Sequence, residues 1–107
     1  MQEAVQRESR KQEQVTNAKL KAVTAQKVHA MAEKRVAMAI NSGASEQEKE
    51  RLEDEAHKLE QVANEAKREE DSLRSQLEEL TQARQKFFEN LKQRKVQTVK
   101  DTFASSP

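Results

Sequence analysis

The chain has 107 residues, one Gly, one Pro, no Trp and no Tyr, with 34% hydrophobic and 36% charged residues. That is the composition of coiled coils and long helices, and it leaves little material for the thick core of a conventional enzyme. There is no cysteine, which excludes a disulfide framework, a thiolate nucleophile and a Cys-based zinc site, and the net charge of +1 is unevenly distributed.

The first element predicted in chain order is a helix over residues 1–41. Val15, Ala18, Ala22, Ala25, His29, Ala32, Val36 and Ala39 follow a strict three-four alternation, the seam of a heptad repeat. Alanine dominates that seam. The first fourteen residues carry little apolar content and are expected to fray unless another chain holds them. The same helix is apolar on two further flanks, Leu20, Val28, Met31 and Met38 on one and Val23, Ala30, Ala37 and Ile40 on the other. One neighbouring helix cannot cover three stripes. Leu20, Val28, Met31, Met38 and Ile40 are therefore the expected oligomer interface; the competing view is that the alanines serve helix propensity alone.

Residues 42–45 are the predicted turn. Gly43, the only glycine, suits the left-handed residue that closes a helix, and Ser45 with Glu48 forms the capping-box pattern that opens the next. The alternative is one continuous helix with a tolerated glycine, at about 1 kcal/mol relative to alanine. A linker this short makes its helices antiparallel. The charges agree: residues 1–41 hold eight basic against four acidic residues, whereas residues 46–79 hold six against thirteen. Opposite balances of +4 and −7 favour pairing the two arms.

The second helix is predicted over residues 46–100. Leu52, Leu59, Ala66, Leu73, Leu80 and Phe87 stand seven apart, with Ala56, Ala63, Leu77 and Leu91 at companion positions and Glu70 and Arg84 as polar interruptions. Folding back about Gly43 brings Val36 near Leu52, His29 near Leu59, Ala22 near Ala66 and Val15 near Leu73. On this reading alanines allow close approach and the leucines supply the buried area. The hairpin core is thus Val15, Ala22, Val36, Leu52, Leu59, Ala66, Leu73, Leu77 and Leu80. Glu70 would lie near Lys19, and Arg84 would fall at a poorly packed end facing only Ala4 and Val5.

Beyond the reach of the first arm the second helix carries Phe87, Phe88, Leu91, Val96 and Val99, with Phe103 after an expected break; residues 101–107 are read as an irregular tail. Phe87, Phe88 and Leu91 are the expected docking surface for another helical protein, because aromatic anchors dominate such interfaces. The alternative is that they close the bundle against Ala4 and Val5. Lys92, Arg94, Lys95 and Lys100 make this end basic, as would suit an anionic lipid surface. A solvated helix end explains the same cations. Nucleic acid is disfavoured, since no recognition-module pattern accompanies the run.

No catalytic, cofactor or metal site is expected. His29 and His57 should lie toward the same end of the hairpin, but zinc wants three or four ligands, and Glu33, Glu53 and Glu60 are too generic to complete a set. Protonation of a seam His29 would weaken packing. The runs Glu53-Asp54-Glu55 and Glu69-Glu70-Asp71 point in different directions around a helix and do not converge. No stretch approaches the roughly 18 apolar residues of a membrane span, and the N-terminus has no secretory h-region, so a soluble intracellular protein is expected.

The sequence thus predicts an all-α, antiparallel coiled-coil hairpin that dimerises into a four-helix bundle and works as a non-enzymatic scaffold or adaptor. The alternative is a helical module that binds anionic membrane through its basic extension, followed by a small assembly factor that shields a partner's helix.

Overall fold

The computed structural model describes residues 2–104, without the side chains of residues 98, 99 and 101–104. Two helices, α1 (Gln2–Asn41) and α2 (Glu46–Ala104), pack along one another as an antiparallel hairpin, and there is no strand among the described residues. The molecule is a rod of 95 × 20 × 14 Å.

The connection follows from its residues. At the end of α1, Gly43 takes φ +73°, the left-handed region where a side chain is strained. Its N–H donates to the Ile40 carbonyl at 3.4 Å, and Ala44 N–H donates to the Ala39 carbonyl at 3.0 Å. This is the Schellman pattern, and it satisfies carbonyls that the helix end would otherwise leave open. Two residues later Ser45 Oγ accepts the Glu48 N–H at 3.2 Å, which caps the start of α2. With only four residues between the two helices, the chain reverses direction.

Four contacts between the helices set the register: Glu8 with Arg84, Lys11 with Gln76, Lys21 with Glu69 and Arg35 with Glu55. It lies close to that of a simple fold-back about Gly43. Val15, Ala18, Ala22, Ala32 and Ala39 of α1 are buried with Ala56, Ala63 and Ala66 of α2.

The division of labour at the seam differs from the sequence expectation. Alanines supply the fully buried positions, while Leu52, Leu59, Leu73, Leu77 and Leu80 are half-buried, as is Val36. A methyl group at the interhelical axis disappears between two close backbones, but a leucine reaches past a single partner helix and leaves its far side in water. With one partner each, no large side chain is completely enclosed among the described residues.

Helix ends also depart from expectation. α1 is helical from Gln2, and α2 continues to Ala104 instead of stopping at residue 100. Neither glycine nor proline interrupts α2 before Pro107. Residues 105–107 of the expected tail, and the side chains of Val99 and Phe103, lie outside the described set.

Candidate functional site

Two surfaces and one side-chain cluster carry the residues singled out above. The first surface is the outer side of α1. Leu20, Val28, Met31, Met38 and Ile40 are all solvent-exposed, Leu20 and Met38 by more than two thirds. Helix α2 covers only the heptad seam. The flanks therefore remain as the sequence lays them out, with Lys27, Lys34 and Arg35 interleaved among the apolar residues.

The second surface is the open end, where α1 begins. Ala4, Val5 and Arg7 of α1 and Leu80, Ala83, Arg84, Phe87 and Phe88 of α2 surround a hollow of about 320 Å³. Ala4 and Val5 do face the two phenylalanines, yet they are too small to close the end. Phe87 remains 55% exposed, and its ring meets that of Phe88 edge-on at 6.2 Å between centroids. Phe87, Asn90, Leu91 and Arg94 border a smaller hollow further along α2. Beyond Phe88, α2 runs on to Ala104 without α1 beside it, an overhang of about 24 Å at 1.5 Å per residue. Lys92, Arg94, Lys95 and Lys100 are exposed along it.

Arg84 is not stranded at this end. Its Nε donates a 2.7 Å hydrogen bond to Glu8 Oε1, with the Glu8 side chain largely withdrawn from solvent. Lys11 Nζ donates to Gln76 Oε1 at 2.8 Å. Glu8 and Lys11 continue the alternation of Val15 and Ala18 toward the N-terminus, so the first arm's seam is longer than its apolar residues suggest. The signal was present as spacing. It is invisible to a search for apolar residues because both positions are charged.

Glu70, the other polar interruption, is only 3% exposed. It does not pair with Lys19 across the hairpin. Arg74, one turn on in the same helix, donates from Nε to Glu70 Oε2 at 2.7 Å, and Lys67 Nζ lies 3.5 Å from Oε1. The hydrogen bond from Arg74 is the main reason that the carboxyl is held below its ordinary value; burial opposes it, and the charges of Lys67 and Arg74 reinforce it.

The cluster lies toward the turn. His29, Glu33, Val36, Glu53, Ala56, His57 and Glu60 line one shallow depression. His29 Nε2 is 3.1 Å from Glu33 Oε1, but off the line of a hydrogen bond, so this buried nitrogen has no hydrogen-bonding partner. His57 is exposed and lies near Glu60 and Gln61 on its own helix. Among the described residues no group of three or more His, Asp or Glu is placed to hold a metal ion. Nor is any helix among them long and apolar enough to cross a membrane.

Comparisons with protein-family models, with curated proteins and with solved structures find no match to this chain.

Proposed function

We propose that the chain is a non-enzymatic assembly module, a helical hairpin that acts as a scaffold or adaptor through helix–helix contacts and self-associates through the outer side of α1. The observation that carries this reading is the exposure of Leu20, Met31, Met38 and Ile40 on a helix whose only neighbour covers a different face. A helix that is apolar over most of its circumference is ordinarily enclosed by several others. The half-buried leucines lend further support. So does total exposure: 8824 Å² for a chain of 12.3 kDa, against about 6100 Å² for a compact monomer of that mass. A dimer of hairpins would withdraw the stripe from water in a four-helix arrangement.

Sedimentation equilibrium of the wild type beside the double variant Met31→Glu, Met38→Glu tests this. The wild type is expected as a dimer and the variant as a helical monomer. A monomeric wild type would remove the self-association, and an oligomeric variant would move the interface elsewhere.

A further inference from the structure

We infer that the open end of the hairpin receives an amphipathic helix from a different protein, apolar where it meets Phe87, Phe88 and Leu91 and acidic over the following turns. The inference deepens the assembly reading and rests on it, but not on the dimer.

Its first support is geometric. The seam of α2 runs through Leu80, Arg84, Phe87 and Leu91 to Arg94 in unbroken three-four steps, while α1 stops covering it at Ala4. A helix laid end to end with α1 would meet the same kind of groove that α1 itself fills. The hollow between Val5 and Phe88 is the place for its first apolar side chain. Partner helices read such grooves through anchors three, four and seven residues apart.

The second support is charge. Lys92 and Lys95 are exposed on the side of α2 that carries Phe88, and Arg94 continues the seam itself. From Arg84 to Ala104 there are six basic residues and two acidic, Glu89 and Asp101. Arg84 is committed to Glu8, which leaves the excess on the overhang. Carboxylates on an incoming helix would complement it, and basic side chains there would be repelled.

Complementarity also argues against a second copy. Two overhangs laid together would oppose basic residues to basic residues. The apolar stripe of α1 is flanked by Lys27, Lys34 and Arg35, the wrong sign for this site. The acidic stretch of α2 has the right sign, but Val62 is its one large apolar residue exposed among those described. A membrane fits less well, since Val96 stands nine residues after Phe87, on the opposite side of the helix. A helix lying on lipid needs its apolar residues on one face.

The test uses the full chain and a fluorescein-labelled, end-blocked synthetic peptide of about three heptads, with Leu at seam positions and Glu beside them. Controls are a peptide with Lys for Glu and a scrambled peptide of equal composition. Anisotropy titration should give saturable binding of the acidic peptide, weakened about tenfold or more by Phe87→Ser with Leu91→Ser, by Lys92→Glu with Lys95→Glu, and in the lysine peptide. Binding should persist in Met31→Glu with Met38→Glu, which separates this site from the outer side of α1; circular dichroism checks that each variant remains helical. No binding, equal binding of the scrambled peptide, or indifference to the open-end variants would overturn the inference. Co-sedimentation with phosphatidylserine vesicles that is lost on Lys92→Glu with Lys95→Glu, without peptide binding, would assign the end to membrane instead.

Discussion

Glu8 and Arg84 join the first turns of α1 to the far part of α2 through a 2.7 Å hydrogen bond between residues 76 positions apart. The pair stands where apolar packing gives out, and it ties the two helices together near the open end. Coupling between the two is expected at about 1 kcal/mol, since Arg84 keeps access to solvent. A double-mutant cycle with Glu8→Gln and Arg84→Gln would measure it. Hydrogen exchange should show lost protection in residues 2–14 of either variant and little change near Ala32.

Acid should weaken the fold partly through Glu70. Its carboxyl is held below the ordinary value of 4.5 mainly by Arg74, so its ionised form stabilises the folded state. That contribution is complete above the unfolded-state pKa and disappears as pH falls through the lower folded-state value. Urea unfolding of wild type and Glu70→Gln should differ at neutral pH, and the difference should shrink as pH falls through the lowered carboxyl's titration. A gap that stays constant down to pH 3 would show that Glu70 does not titrate with folding.

Gly43→Ala should cost about 1 kcal/mol. Nothing lies within 4 Å of the position a Cβ would take, so the penalty is conformational. Gly43→Asn should be milder, because asparagine tolerates left-handed backbone better. Thermal unfolding of the two variants at equal concentration gives the order; equal losses would contradict it.

The alanine seam reverses the usual ranking of core substitutions. Ala22 is 1% exposed between the helices, and Ala22→Leu should cost about 1–3 kcal/mol by forcing them apart. Leu52→Ala should cost less than the ~2–5 kcal/mol of a fully buried leucine, because Leu52 is already half in water. Urea midpoints at fixed protein concentration would rank the pair.

These contrasts show what was legible in the sequence. Heptad spacing located the seam residues from Val15 to Ala39 and from Leu52 to Leu80, because burial along a helix follows a period that apolar residues reveal. Gly43 with Ser45 and Glu48 carried the reversal, because each is a local backbone requirement. Partner choice was less legible. The fold-back register puts Glu70 near Lys19, but Arg74 lies one turn away on the same helix and reaches it without crossing the seam. Glu8 and Lys11 keep the seam's spacing, but their charge sets them apart from an apolar pattern. The extent of leucine burial depends on how many helices surround each one, and no single chain states that number.

The length of α1 has a consequence of its own. Forty residues at 1.5 Å per residue separate the turn from the open end by about 60 Å. The two helices are pinned at both ends, at Gly43 and Ser45 on one side and at Glu8 and Arg84 on the other. The turn and the open end are therefore separated by roughly two small-domain diameters. Lengthening or shortening both helices by whole heptads would change that separation without altering the surface at either end.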